Sequence, residues 1–116
     1  MSLRLTNLTK QTLLSEQVEV AATFTSRLVG LLNRSSMAPS EALWFHQCNS
    51  IHTYFMRFAI DAIFVDEQLR VKKVCRNLKP WRLVLPIWRA SSVFEMAAGQ
   101  ASTDRVNEGD QLHVGD

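Results

Sequence analysis

Several features are missing from this sequence. No apolar run approaches the roughly 20 residues that cross a bilayer, and the first residues lack the basic start and apolar run of a secretion signal. Internal repeats, low-complexity tracts and an interdomain linker are absent too. We therefore expect one domain over residues 1–116 with no membrane span, cytoplasmic as the chain stands, with export as the alternative if a leader has been removed from it.

Cysteine is also scarce, and charge of either sign is nearly balanced. Cys48 and Cys75 could form at most one disulfide, and in a cytoplasmic protein both are expected as thiols. The net charge of +2 is too small to indicate a partner. A hydrophobic content of 47% and a charged content of 21% are typical of a globular protein. The chain is long enough for one core that needs no covalent staples.

The densest apolar stretch runs from residue 48 to residue 66. Ile51–Met56 and Ile60–Val65 are short and rich in β-branched and aromatic residues, which predicts two strands. Apolar residues occupy both parities, so these strands should be covered on both faces and lie centrally. Asp61 falls inside the second strand, with Arg57 before it. A carboxylate in such a place must be hydrogen-bonded or paired, because an uncompensated buried charge costs several kcal/mol.

Further strands are predicted on both sides of this stretch. The turn Asp66–Gln68 should join Ile60–Val65 to a strand at residues 69–75 in a hairpin. Residues 77–89 contain two prolines, so they are predicted to be a connection folded over the sheet. The remaining predicted strands lie at residues 3–8, 13–20, 42–45, 90–97 and 111–114.

One helix is predicted. The hydroxyl of Thr25 or Ser26 can accept from the unpaired amides of a first turn, and leucines follow at helical spacing. We therefore predict an α+β fold, mostly antiparallel β, that closes as a small sandwich or barrel with one short helix near residues 26–32.

The sequence also resembles a known family. The stretch SIHTYFMRFAID, followed by AIFVD, resembles the signature of DUF192, also called UPF0127, a family of small bacterial and archaeal domains. The other matching blocks are RLVGLLNR from Arg27, the pair Trp44–Phe45, FEMAAG from Phe94 and the pair Gly109–Asp110. The resemblance implies a mostly antiparallel β domain that carries a short helix. It implies no established activity.

Two carboxylates in apolar surroundings are the first candidate site. Asp61 and Glu95 could hold a polar ligand or do acid–base work. The predicted ligand-binding residues are Arg27, His52, Asp61 and Glu95, in a pocket framed by strands. The structural alternative is a buried ion-pair network in which Arg57 or Arg27 neutralises a carboxylate. On this basis the protein is predicted to be a small polar-ligand-binding or accessory module.

Two alternatives use the same region for chemistry. An enzyme could work through the carboxylates, or through Cys48 as nucleophile with His52 as base and Asp61 as orienter. His46, Cys48 and His52 would suit zinc chemically, but their spacing matches no familiar zinc pattern, so neither a metal nor a cofactor is predicted.

The last candidate is the basic segment at residues 70–89. Trp81 and Trp88 lie among lysines and arginines, a combination that can hold single-stranded nucleic acid. A nucleic-acid or protein adaptor is therefore a third hypothesis. The ordinary alternative is a solvated basic strand face with tryptophans that cover the core.

Overall fold

The computed structural model describes residues 3–21 and 34–116. Every regular secondary-structure element within these residues is a β-strand. The nine strands are β1 (Leu3–Asn7), β2 (Thr12–Ala21), β3 (Glu41–His46), β4 (Ile51–His52), β5 (Ile60–Val65), β6 (Val71–Leu78), β7 (Leu83–Val84), β8 (Ser92–Ala97) and β9 (Leu112–Gly115).

Seven of the strands form one mixed sheet in the order β6-β5-β8-β3-β2-β1-β9. Neighbours are antiparallel except β2 and β3, which run parallel along five residue pairs from Gln17↔Glu41 onward. The sheet curls so that its edge strands, β6 and β9, approach each other at one end. There Arg70 and Gln111, the residues just before these strands, form an isolated bridge. The Leu112 amide donates to the Leu69 carbonyl at 2.9 Å beside this bridge. The result is a half-barrel.

Each strand of the curled sheet contributes to its interior. Strand alternation sends every second side chain inward, where the packed residues exclude water. This inner cluster consists of Leu5, Leu14, Val18, Ala42, Ile63, Val65, Val71, Phe94, Met96, Ala101, Val106 and Leu112.

A second apolar cluster covers the outer face of the central strands. Its buried members are Met37, Phe45, Ile51, Met56, Ile60, Ala62, Phe64 and Val93. Strands β4 and β7 pair with each other as a separate two-stranded ribbon, Ile51 opposite Val84 and His52 opposite Leu83. Ile51 and Val84 pack into this outer cluster, so the ribbon lies over the sheet. Strand β5 is therefore buried on both faces.

The predicted fold class is wrong for the described residues. They form an all-β fold, a single curled mixed sheet with a covering ribbon, where an α+β sandwich or barrel was predicted. Seven strands pair side by side in one sheet and do not divide into the two facing sheets of a sandwich. One of their pairings, β2 with β3, is parallel. The helix predicted near residues 26–32 lies outside the described residues. No helix in the described part of the chain has the length and apolarity to cross a bilayer.

The strand predictions have mixed outcomes. The prediction for Ile60–Val65 is confirmed, because all six residues are buried, and the hairpin to β6 is confirmed as well. The central strand predicted for Ile51–Met56 is wrong, because only Ile51–His52 form a strand and this strand lies in the covering ribbon, outside the seven-stranded sheet. The Met56 amide donates to the Thr53 carbonyl at 3.2 Å, which turns the chain away from the extended course. Residues 77–89 do fold over the sheet, but they also contribute β7.

Candidate functional site

The sheet separates the two predicted carboxylates. Asp61 pairs across the strands with Met96, a member of the inner cluster, whereas Glu95 pairs with Ala62 of the outer cluster. Residues directly opposite each other share a face, and neighbours along a strand alternate. Asp61 therefore points into the half-barrel and Glu95 points toward the ribbon.

Asp61 is bound by the backbone. Its side chain is only 1% exposed. Its carboxylate accepts hydrogen bonds from the amides of Asn77 at 2.8 Å, Gly99 at 2.9 Å and Ala101 at 2.8 Å. Within residues 3–21 and 34–116 it forms no ion pair with an arginine, and Arg57 is exposed. Asp61 thus ties β5 to the end of β6 and to the turn after β8.

Glu95 and His52 lie apart from Asp61. Glu95 is 1% exposed, between Leu43 and Ala62. The His52 ring stacks on Tyr54 with centroids 4.7 Å apart, on the ribbon. Arg27 lies outside the described residues. Ligand binding by the four residues stays a prediction, and the fold does not bring the two carboxylates to one pocket.

The chemistry proposed for Cys48 meets the same separation. Cys48 packs against the outer cluster, and its thiol donates to the Ser50 carbonyl at 3.0 Å. Asp61 lies on the inner face of the sheet, so it cannot orient His52 toward this thiol. Burial raises the pKa of the Cys75 thiol, which favours its protonated form. Nowhere in the described ranges do three His, Cys, Asp or Glu side chains cluster closely enough to hold a metal ion.

A recess opens at one mouth of the half-barrel, where β3 and β5 end and β8 begins. Its volume is about 260 Å³. It is lined by Trp44, His46, Gln47, Asp66, Glu67, Leu69, Ser91 and Ser92. A second recess of about 380 Å³ adjoins it and adds Lys72 and Arg89 to the lining. We call the first of these the mouth recess. Six of its eight lining side chains are polar.

Trp44 forms a rigid wall of the mouth recess. Its ring stacks on Phe94 at a centroid distance of 5.0 Å. Its indole N–H donates to the Ser92 hydroxyl at 3.0 Å, and His46 packs edge-on against the indole at 4.2 Å. His46 and Ser92 are cross-strand partners, so the β3–β8 register places these groups side by side.

Asp66 supplies a fixed negative charge to the recess. Oδ1 accepts the amides of Gln68 at 3.0 Å and Arg70 at 2.9 Å, and Lys72 lies 3.3 Å from Oδ2. Burial alone would raise the pKa of Asp66, but the backbone hydrogen bonds and the Lys72 ammonium outweigh it and hold the pKa below its ordinary value. The carboxylate is therefore ionised at neutral pH.

Two residues on the rim hold uncommon backbone conformations. Gln47 has a φ of 51° and Leu69 has a φ of 64°. Positive φ is costly for a bulky side chain such as leucine, and such strain clusters at functional sites.

The sequence offered only part of this recess. The turn after Val65 is visible in the pattern, but Trp44, His46 and Ser92 come from distant segments whose closeness depends on register. No local spacing links these residues. A polar cluster at each predicted strand end was the one available signal.

The described strands define a small all-β domain of the half-barrel kind with a polar recess at its mouth. The sequence profile of DUF192, a family described as "Uncharacterized ACR", matches residues 5–114. The chain therefore belongs to the DUF192 family, which confirms the resemblance read from the sequence.

Archaeal relatives agree with this assignment, and a solved structure has a similar fold. The chain is 35% identical to a UPF0127 protein of Pyrococcus horikoshii over 83% of this chain and 85% of that protein. It is 34% identical to a UPF0127 protein of Pyrococcus furiosus over 91% of this chain and 93% of that protein. The fold is similar to that of a Novosphingobium aromaticivorans protein of unknown function, with a TM-score of 0.75, 19% identity, and coverage of 96% of this chain and 82% of that one.

Proposed function

We propose that this protein is a binding module that holds a small polar ligand in the mouth recess. The observation that carries the proposal is the convergence of polar side chains from three strand ends on one recess of about 260 Å³. Small-molecule sites prefer the mouths of β-barrels and combine aromatic walls with a few placed polar groups. The proposal keeps the class of ligand expected from the sequence and moves its site.

The lining supports a ligand that carries donors and a positive charge. Asp66 and Glu67 supply negative charge, while the Trp44 ring supplies an apolar wall against which a cation or a flat ring can rest. Lys72 forms an ion pair with Asp66 at 3.3 Å and neutralises part of its charge. A ligand with both amino and hydroxyl or carboxyl groups would use both adjoining recesses.

The experiment is a solute screen by nuclear magnetic resonance. Amino acids, sugars, polyols and small amines are added singly to labelled protein, and amide shifts are followed. A ligand should shift the amides of Gln47, Glu67, Leu69 and Ser91 together. If every solute leaves these amides unmoved, or shifts only amides elsewhere, the proposal is rejected.

A matched pair of variants tests the site. His46→Ala removes a ring that contacts Trp44 at the recess and should weaken binding about tenfold, the effect of losing about 1.4 kcal/mol. His113→Ala removes an exposed imidazole from β9, outside the recess lining, and should leave the affinity unchanged. Equal affinities in all three proteins would contradict the assignment.

A further inference from the structure

The ribbon carries apolar side chains on the face where polar ones are expected. An antiparallel strand pair over a core normally turns its polar residues outward. Ile51 and Val84 fill the inner face. On the outside, Phe55 is 65% exposed, Trp81 57%, Leu83 56% and Leu85 68%. We call these four residues the ribbon surface.

Three of these exposed side chains, Phe55, Trp81 and Leu83, are linked by contacts through Tyr54 and His52. The rings of Phe55 and Trp81 are in contact, with centroids 4.6 Å apart, and Tyr54 lies 6.1 Å from Trp81. Leu83 is the cross-strand partner of His52, which stacks on Tyr54. Contiguous apolar patches on a protein surface mark interaction sites, whereas single exposed leucines do not.

The backbone is strained where it presents the aromatic rings. Phe55 and Trp81 both have a φ of 67°. Buried Thr53 holds this arrangement: its hydroxyl donates to the Lys79 carbonyl at 2.6 Å and accepts the Arg82 amide at 2.9 Å. Positive φ at two bulky residues costs free energy, and such strain is concentrated at functional sites.

The two chain segments that contain the ribbon surface carry basic residues and no acidic ones. Residues 46–60 and 76–94 hold five arginines and lysines and no aspartate or glutamate. Arg76 is occupied, since its guanidinium donates to the carbonyls of Ala101 and Val106 at 2.7 and 2.6 Å. The other four, all exposed, are Arg57, Lys79, Arg82 and Arg89.

We infer that the ribbon surface docks on an anionic lipid bilayer. Exposed tryptophan, phenylalanine and leucine suit the boundary between headgroups and acyl chains, while flanking arginine and lysine suit anionic headgroups. The charge of the two segments complements such a surface. This inference uses residues outside the mouth recess, and it shares only Arg89, which lines the adjoining recess, with the ligand proposal.

The ring geometry favours lipid over single-stranded nucleic acid. Base stacking needs open aromatic faces. The Tyr54 ring is stacked on His52, and the Arg89 guanidinium lies 4.4 Å above the Trp88 ring. Leu83 and Leu85 offer no stacking face, yet they are among the most exposed apolar residues. Insertion into lipid uses aliphatic side chains and tilted rings equally.

The test is sedimentation with vesicles of phosphatidylcholine alone, and with about one third phosphatidylserine. The protein should bind only the anionic vesicles, and added salt should weaken binding. Leu83→Ser with Leu85→Ser should weaken it roughly tenfold or more, because both side chains lose their burial in the bilayer. Arg57→Gln and Arg82→Gln should each cost about fivefold.

Controls use exposed residues of β1 and of the β1–β2 turn, outside the ribbon. Leu8→Ser, at a site 51% exposed in the β1–β2 turn, and Arg4→Gln, exposed on β1, should bind vesicles like the parent protein. Unfolding temperatures verify that each variant folds. If a leucine variant does not fold, the arginine variants still test the inference.

Several results would overturn the inference. The parent protein would fail to bind anionic vesicles, or would bind neutral ones equally well, or the controls would lose as much affinity as the ribbon variants. Displacement from vesicles by a single-stranded oligonucleotide, with Trp81→Ala abolishing oligonucleotide binding, would assign the surface to nucleic acid. A stable dimer that buries Trp81 would assign it to a second copy.

Discussion

Replacing Asp61 by asparagine should destabilise the protein strongly. The carboxylate is 1% exposed and accepts three backbone N–H groups, from Asn77, Gly99 and Ala101. Asparagine has one acceptor oxygen and one NH₂ group. If the oxygen keeps the Gly99 and Ala101 amides, the NH₂ group faces the Asn77 amide, and these two donors are left without an acceptor.

The expected loss follows from these bonds. A hydrogen bond to a charged group contributes roughly 1.5–3 kcal/mol, and an unsatisfied buried donor costs about 1–3 kcal/mol. We therefore expect Asp61→Asn to lower the free energy of unfolding by about 3 kcal/mol. In a domain of this size the melting temperature should fall by roughly 10 °C.

Urea unfolding followed by circular dichroism measures this change. Glu108→Gln is the control. Glu108 is an exposed carboxylate in the same C-terminal part of the chain as Gly99 and Ala101. The amides of Gly99 and Ala101 should also exchange with solvent faster in Asp61→Asn. A variant within about 0.5 kcal/mol of the parent protein would refute the reasoning, because a surface substitution costs no more than that.

Two further predictions concern the ribbon and acid. Thr53→Val should lower the free energy of unfolding by about 2 kcal/mol and speed amide exchange at Arg82, because it removes both ribbon hydrogen bonds of the hydroxyl; unchanged exchange would contradict this. The free energy of unfolding should fall as pH drops below about 4. The Arg34 hydrogen bond holds the pKa of Glu41 below its ordinary value, and the pKa of Asp66 is lowered as well. A carboxyl whose folded pKa is depressed stabilises above its unfolded pKa and loses this contribution as pH falls through the folded pKa. Urea midpoints that stay constant between pH 5 and 3 would contradict the acid prediction.

The separation of Asp61 from Glu95 shows where pattern reasoning stopped. Both were correctly expected in apolar surroundings, because apolar neighbours along the chain predict burial. Whether two buried side chains share a pocket depends on which face each one occupies. That parity comes from the pairing of β5 with β8, in which Asp61 lies opposite Met96 and Ala62 opposite Glu95, residues more than thirty positions apart in the sequence.

The sequence left the position of the tryptophans open. Trp81 and Trp88 were weighed between an adaptor surface and ordinary core cover, and both are exposed. Composition alone cannot decide this, since it does not show that Ile51 and Val84 are the residues that fill the inner face of the ribbon.

The sequence by itself determined the family, the buried strand Ile60–Val65 and the hairpin that follows it. Those features depend on short-range order: side-chain type, period and turn chemistry over a few neighbouring residues. Tertiary structure alone decided the parallel β2–β3 pairing, the inward course of Asp61, the mouth recess and the outward-facing ribbon surface. Each of these depends on long-range register, and a shift of one residue would send every side chain to the opposite face.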